Sequence, residues 1–213
     1  MKLYSFFRSS TSHRVRIALN LKGLNYQTHF ISLAKNEHHQ AEYQALHPQG
    51  FLPTLEIDES KLLIQSPAIL EWLEQQYPQP ALLPNDVLAQ AKVRAIAALI
   101  ACDIHPLNNK RVLEHLRLNL GLNEIQINEW CAKWIQAGFS ALEKILEQDP
   151  QQTKFCYGSA PTLADVYLIP QVVSAQRFKV DLNMYPKINE IYQHCMTLEA
   201  FQKAAPENQA DAI

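Results

Sequence analysis

Three prolines within seven residues, Pro78, Pro80 and Pro84, divide this chain into two parts. Proline lacks a backbone N–H and its ring clashes with the preceding helical turn, so no regular helix continues through such a segment. The chain has 213 residues, which is long for one compact domain and comfortable for two small ones. The sequence therefore predicts a first domain over residues 1–80 and a second over residues 88–213.

The first 80 residues alternate between short apolar runs and helical patterns. They predict strand, helix, strand, helix, strand, strand and helix, beginning with the apolar run Leu3–Phe7. The Leu52–Pro53 bond lies directly before a short strand and is a candidate for the cis form, which proline tolerates far better than other residues. Ser66 is expected to be the N-cap of the last helix, with Pro67 in its first turn. This order indicates an α+β fold class.

Beyond the prolines the pattern is helical throughout. Pro106 is expected to bend the first of these helices. Thr162 and Asp165 are spaced as a capping box that opens the third helix, which makes Asp165 a structural rather than a catalytic residue. The residues after Pro206 are expected to be loosely ordered. The helices are predicted over about 86–118, over about 124–146, from Thr162 onward, and over about 186–198.

Composition limits the partners of the chain. A net charge of −2 argues against nucleic acid or an anionic membrane surface as a partner. The sequence contains no 18-residue apolar run and no basic segment followed by an apolar stretch near residue 1, so no membrane association is expected. Four widely spaced cysteines form no CxxC pair, which predicts free thiols in a reducing cytoplasm and no metal site.

Four consecutive hydroxyl residues, Ser9 to Ser12, lie where the first predicted strand gives way to the first helix. One hydroxyl is enough to cap a helix, so the others are available to a ligand. A helix N-terminus behind a strand favours anions, and Arg8 adds a positive charge beside it. An ordinary capped helix start is the alternative explanation, and this segment alone leaves both open.

Several motifs resemble those of one enzyme family. The order of elements, with Pro53 before a strand and the Gln65–Ser66 pair, resembles the glutathione-binding domain of glutathione transferases. The segment Ser9–Arg16 resembles the active-site segment of the zeta class, which includes maleylacetoacetate isomerases. Thr11 and His13 replace the cysteine and tryptophan typical of that class and are more similar to the bacterial glutathione-dependent maleylpyruvate isomerases. Residues 102–111 and 176–182 extend the resemblance nearly from end to end.

This resemblance implies a fold, a cofactor and an assembly. Residues 1–80 are expected to form a thioredoxin-like glutathione-binding domain, followed by an all-helical substrate-binding domain over residues 88–213. Glutathione is the implied cofactor, a homodimer the implied assembly, and Asp103 is expected to approach the glutathione of a partner subunit. The implied glutathione-binding residues are Ser9, Ser10, Thr11, Gln49, Leu52, Pro53, Gln65, Ser66, Asp103, His105, Asn108 and Asn109.

The hydroxyls Ser9, Ser10 and Thr11 are the expected catalytic residues, with Ser10 and Thr11 nearest the sulfur. Lowering a thiol pKa from about 8.5 to about 6.5 requires roughly 2.7 kcal/mol in favour of the thiolate. One charge-assisted hydrogen bond supplies about 1.5–3 kcal/mol, and a helix N-terminus supplies a further ~0.3–2 kcal/mol. These groups are therefore sufficient to ionise a bound thiol without a catalytic cysteine.

The implied substrate is a small cis-dicarboxylate, which arginine binds in bidentate fashion. The expected reaction is the glutathione-dependent isomerisation of maleylpyruvate to fumarylpyruvate, or of maleylacetoacetate to fumarylacetoacetate, with the first favoured by Thr11 and His13. The alternatives are a general glutathione transferase that conjugates small electrophiles and a non-catalytic module on the same fold. The implied substrate-binding residues are Arg8, His105, Asn109, Lys110, Arg111 and Arg177. His105 is equally compatible with a packing role.

Overall fold

The computed structural model describes residues 1–58 and 61–212 and divides into two compact units. The first unit combines the residues up to Leu82 with those from Met196 onward, and the second comprises Leu83–Cys195. The sequence analysis placed the C-terminal residues in the helical second domain. In the structure they join the first unit instead, because their short helix packs against the first helix of the chain.

A four-stranded mixed sheet forms the centre of the first unit, in the order β2-β1-β3-β4. The pair β1 and β2 is parallel, whereas β3 runs antiparallel to both β1 and β4. Leu3 of β1 and Leu55 of β3 pair across the sheet and are fully buried. The sheet and its helices have the expected thioredoxin-like arrangement. The strands are β1 (Lys2–Ser5), β2 (Gln27–Phe30), β3 (Thr54–Asp58) and β4 (Lys61–Ile64).

The first helix lies at the centre of this unit. It packs against the third helix of the chain and against the C-terminal helix, so its residues from Ser12 to Leu19 are all buried. Ser9 caps it through its side chain, as a hydroxyl residue was predicted to do. The helices of this unit are α1 (Ser10–Leu21), α2 (Ala41–Gln44), α3 (Ser66–Gln76) and, at the C-terminus, α9 (Glu199–Ala204).

The second unit is helical, and the single helix predicted over 86–118 is wrong. After α4 (Val87–Ala98) the chain forms a π-helical segment (Leu99–Ile104) and a 3-10 turn (His105–Asn108), and α5 (Lys110–Leu118) begins afresh. Another helix, α6 (Glu124–Gln148), packs closely against the end of the π-helical segment: a Cβ on its Gly138 would lie 2.4 Å from Ile104 Cγ1. The side chain of Ile104 therefore occupies space that only glycine leaves open.

The remaining helices follow the predictions closely. Asp165 Oδ2 accepts hydrogen bonds from Thr162 N at 2.7 Å and Thr162 Oγ1 at 2.9 Å, so the predicted capping box is confirmed. Asp165 is fully buried, also accepts Cys156 N at 2.8 Å, and has its pKa raised by that burial. These helices are α6 (Glu124–Gln148), α7 (Leu163–Arg177) and α8 (Pro186–Cys195).

Residues 206–212 are ordered, which contradicts the expectation of a loose tail after Pro206. Residues Pro206–Asn208 form a 3-10 turn. The side-chain amides of Asn208 and Gln209 donate to backbone carbonyls of Gln202 and Lys203, at 2.7 and 2.8 Å, at the end of α9. These hydrogen bonds satisfy backbone carbonyls that the end of a helix leaves unpaired. The hydropathy of the sequence does not indicate such side-chain bonds, so the order of the tail was not predicted.

Across residues 1–58 and 61–212, none of the helices is both long and apolar enough to cross a bilayer. Among the same residues, no three His, Cys, Asp or Glu side chains are grouped in a way that would hold a metal ion.

Candidate active site

The hydroxyl segment before α1 forms a short chain of hydrogen bonds. Ser9 Oγ accepts from Ser12 N at 3.2 Å, which caps the helix, and lies 3.0 Å from Thr11 Oγ1. Thr11 Oγ1 donates to the carbonyl oxygen of Leu52 at 2.8 Å. Because a hydroxyl carries one proton, Thr11 accepts from Ser9 while it donates to Leu52. The predicted thiol site is thus joined to the turn around residue 52, and Ser10 is the half-buried first residue of α1.

The turn that Thr11 contacts contains the Leu52–Pro53 bond, which is cis as predicted. Leu52 and Pro53 are both buried, and β3 begins immediately after them at Thr54. Tyr43 Oη fixes the residue before the turn by donating to the carbonyl oxygen of Phe51 at 2.6 Å. The turn is therefore held from both sides by side-chain hydroxyls.

The Gln65–Ser66 pair has a structure that its residue types did not predict. Gln65, not Ser66, is the N-cap residue of α3, and its φ of 69° lies in a region that favours glycine. Ser66 is only 2% exposed, and its Oγ has no hydrogen-bond partner within residues 1–58 and 61–212. Gln65 Nε2 donates to Gln49 Oε1 at 2.8 Å. Backbone strain and an unsatisfied buried hydroxyl at a helix N-terminus are features of a ligand site.

The predicted residues of the second unit lie along the π-helical segment and the 3-10 turn. Asp103 is exposed and His105 is half-buried. Asn108 is 8% exposed, and within the described part of the chain neither polar atom of its side chain has a hydrogen-bond partner. Asn109 Oδ1 caps α5 by accepting from Arg111 N at 3.2 Å, a structural role in addition to the predicted one.

One contact to this segment comes from a tryptophan of α6. Trp130 Nε1 donates to the carbonyl oxygen of Leu107 at 2.9 Å and so fixes the 3-10 turn onto α6. The Trp130 ring also contacts that of Trp134, and the two ring centroids are 5.7 Å apart. Helical spacing identifies such a pair, but it does not reveal a hydrogen bond to a residue 23 positions away.

The predicted substrate cations differ in their surroundings. Arg8 and Arg177 are exposed, and each guanidinium lies over the ring of a neighbouring phenylalanine, at 5.0 Å from the Phe7 centroid and 4.6 Å from the Phe178 centroid. Lys110 pairs with Glu114 at 2.8 Å, which offsets its charge.

His13, near the start of α1, is packed inside the first unit. It is 1% exposed, and its Nε2 has no hydrogen-bond partner in the described ranges 1–58 and 61–212. Burial and the nearby positive charge of Arg16 hold its pKa well below the usual value. The ring is therefore neutral at pH 7.

Comparisons with known proteins agree with this geometry. Residues 8–76 match the family model described as glutathione S-transferase, N-terminal domain. The chain is 53% identical to a maleylpyruvate isomerase of Ralstonia sp, with all of both chains covered. A holo structure of a maleylpyruvate isomerase described as a zeta-class bacterial glutathione S-transferase superposes with a TM-score of 0.98, at 53% identity and full coverage of both chains. A maleylacetoacetate isomerase of Methylobacterium extorquens AM1, solved with malonate and GSH, gives a TM-score of 0.97 at 36% identity, again with full coverage of both chains.

These similarities extend over the whole chain and agree with the thioredoxin-like first unit and the helical second unit. The chain belongs to the glutathione S-transferase family, in the zeta class that contains the maleylpyruvate and maleylacetoacetate isomerases.

Proposed function

We propose that this chain is a glutathione-dependent cis-trans isomerase that converts maleylpyruvate to fumarylpyruvate. The observation that carries this proposal is the 53% identity, over the full length of both chains, with a maleylpyruvate isomerase. Maleylacetoacetate is the second candidate substrate, because a relative named for that activity has nearly the same fold. A general glutathione transferase remains the alternative activity.

The first unit offers groups that fit glutathione. The N-terminus of α3 presents backbone N–H groups together with the buried, unsatisfied Oγ of Ser66, a donor set that suits the γ-glutamyl carboxylate. Gln65 precedes Ser66 in the chain, and its Nε2 donates to Gln49 Oε1 at 2.8 Å. Both glutamines would bind the same ligand as Ser66. Leu52 and Pro53 would present backbone groups to its cysteinyl part. Bound glutathione supplies a thiol nucleophile that adds reversibly to the cis double bond and is regenerated.

The hydroxyl segment would stabilise the ionised thiol. Ser9 and Ser10 lie at the N-terminus of α1, where one charge-assisted hydrogen bond and the helix dipole together supply enough energy for a shift of about two pKa units. Thr11 would act mainly on protein geometry, because its single proton is donated to the carbonyl of Leu52. The proton of Ser9 is donated to Thr11 in turn, so we assign Ser9 and Thr11 to the hydrogen-bond chain that places the turn, and Ser10 to the sulfur.

The arginines would bind the substrate carboxylates. The phenylalanine rings contact the faces of the Arg8 and Arg177 guanidinium groups, whereas carboxylates bind guanidinium edges. Malonate, bound in the Methylobacterium relative, is itself a small dicarboxylate. Arg111, at the exposed start of α5, is the third cation proposed for this role, and Lys110 contributes less because Glu114 offsets its charge.

The polar residues before α5 would complete the binding groups. We propose that His105, Asn108 and Asn109 contact glutathione or substrate, and that Asp103 reaches the glutathione of a partner subunit in a homodimer. The unpaired side-chain atoms of buried Asn108 support a ligand there. We also propose that the protein works in the cytoplasm, where its four free thiols would stay reduced.

The test is absorbance-followed isomerisation of maleylpyruvate and of maleylacetoacetate, with and without glutathione. We expect turnover that requires glutathione without consuming it, higher kcat/KM on maleylpyruvate, and a collapse of turnover in Arg177→Ala. Arg117→Ala is the matched control, because the charge of Arg117 is already paired with Glu124 in an exposed ion pair at 2.6 Å. Absence of isomerisation together with conjugation of a simple electrophile would establish the general transferase instead.

A further inference from the structure

The C-terminal tail is bonded directly to the loop that precedes the hydroxyl segment. Asp211 Oδ2 accepts a hydrogen bond from Phe7 N at 3.0 Å, across 204 positions of sequence and within the first unit. The other carboxylate oxygen, Oδ1, is buried and has no hydrogen-bond partner among the residues that the structure describes. Burial of a carboxylate oxygen without a hydrogen-bond partner costs folding free energy, so a role for Asp211 is expected.

Arg16, a residue of α1, forms a hydrogen bond to the same loop. Its guanidinium is fully buried and donates to Ser5 Oγ, to the carbonyl oxygen of Phe7 and to the carbonyl oxygen of Ala204, each at 3.0 Å. Burial lowers the pKa of Arg16 to about 10, and the negative charge of Asp211 partly counteracts this effect. Arg16 therefore remains charged at neutral pH, with Asp211 nearby as a compensating anion.

Together these two side chains fix both polar backbone atoms of Phe7. Asp211 Oδ2 accepts from the N–H of Phe7, and the Arg16 guanidinium donates to the carbonyl oxygen of Phe7. Arg16 also donates to the carbonyl oxygen of Ala204 at the end of α9, which connects it to the tail. We call this set of contacts the tail clamp. It links the backbone of residue 7 to α1 through Arg16 and to the C-terminal tail through Asp211 and Ala204.

The two residues that follow Phe7, Arg8 and Ser9, belong to the segment with a proposed role in the reaction. The guanidinium of Arg8 lies over the ring of Phe7, and Ser9 N donates to the carbonyl oxygen of Phe6 at 3.0 Å. A displacement of Phe7 would therefore move both Arg8 and Ser9. We propose that Arg16 and Asp211 are positioning residues, which use the C-terminal tail to hold Arg8 where it binds substrate and, through the backbone of Ser9, to hold Ser10 where it binds the sulfur. This inference rests on the proposed function of Arg8 and Ser10.

Three variants of one residue test the proposal. Asp211→Ala removes the acceptor of Phe7 N, whereas Asp211→Asn retains an oxygen that accepts it. With Asp211→Ala we expect kcat/KM for maleylpyruvate to fall about tenfold and the pKa of the bound glutathione thiol to rise. Glutathione affinity should fall no further than this pKa shift requires, because Gln65 and Ser66 are not touched. Asp211→Asn should restore most of the activity, and Glu207→Ala, an exposed carboxylate of the same tail, is the matched control.

The measurements are steady-state kinetics, ultraviolet titration of the bound thiol and a urea unfolding curve for each variant. An Asp211→Ala protein with wild-type kinetics and thiol titration, and only a lower unfolding midpoint, would overturn the proposal. Should that variant not fold, Asp211→Glu keeps the charge while displacing the acceptor by one methylene group. The proposal then requires that the kcat/KM of Asp211→Glu falls while its unfolding midpoint stays unchanged; a kcat/KM equal to that of the wild type would refute it. If the wild type itself does not isomerise maleylpyruvate, the proposed function fails, while the thiol titration still tests the tail clamp.

Discussion

Lys22 offers the sharpest test of what stabilises the first unit. Its ammonium group is inaccessible to solvent and contacts Glu74 Oε2 and the carbonyl oxygen of Tyr77, both at 2.7 Å, and the carbonyl oxygen of Pro80 at 3.0 Å. Glu74 Oε1 in turn accepts Leu82 N at 2.9 Å. One buried ion pair therefore joins the end of α1, the body of α3 and the proline segment that follows.

Lys22→Met keeps the length of the side chain and removes its charge and donors. The carboxylate of Glu74, whose side chain is 12% exposed, would then remain buried opposite two unpaired carbonyls. Removing one partner of a buried pair costs about 3–5 kcal/mol, because the remaining charge is uncompensated. For a chain of this size, each kcal/mol lowers Tm by roughly 2–4 °C, so we expect a decrease of about 6–20 °C.

Urea and thermal unfolding followed by circular dichroism measure this loss. Lys2→Met is the matched control, because Lys2 pairs with Glu56 at 3.1 Å near the surface, and it should change the unfolding midpoint far less. Lys22→Met/Glu74→Gln should recover part of the stability, since the uncompensated charge disappears while Leu82 N keeps its acceptor. If Lys22→Met were no more destabilising than Lys2→Met, the reasoning about this buried pair would be refuted.

Two further predictions concern α1. His13 is held neutral by burial, so the unfolded chain binds its proton near pH 6.5 and the folded chain does so only at lower pH. The free energy of unfolding should therefore fall between pH 7 and pH 5, by at most about 1.4 kcal/mol per pH unit, and His13→Gln should flatten that slope in urea titrations. Thr11→Val removes the donor to Leu52 O and should cost about 0.5–1.5 kcal/mol and lower kcat/KM, whereas Thr11→Ser should retain both. Equal kinetics for the two Thr11 variants would contradict the assigned role.

Features coded by neighbouring residues were predictable from the sequence. The cis bond at Leu52–Pro53, the hydroxyl cap at Ser9 and the capping box of Thr162 with Asp165 each depend on residues within a few positions of one another. Their chemistry is local, so the residue types indicate the structure directly. Ser66 is the instructive exception, because the preceding residue takes the capping position with a φ that glutamine rarely adopts.

Features that depend on distant partners were not predictable. At the interruption after α4, Ile104 packs into the space that Gly138 of α6 leaves open, and neither residue is unusual in its own segment. The order of the tail depends in part on the bond from Phe7 N to Asp211, which sequence spacing does not indicate. In the candidate site, the contact between Gln49 and Gln65 likewise appears only once the chain has folded.

The packing of α9 on α1 has a consequence for the order in which the chain is built. Because the residues from Met196 onward belong to the first unit, that unit is built from two separate segments of sequence, with the helical unit interposed between them. During translation α9 follows residues 83–195, so the face of α1 that α9 covers stays exposed until then. A fragment that stops at the proline segment would leave that face of α1 exposed, and a truncation before Met196 would damage the unit that is translated first.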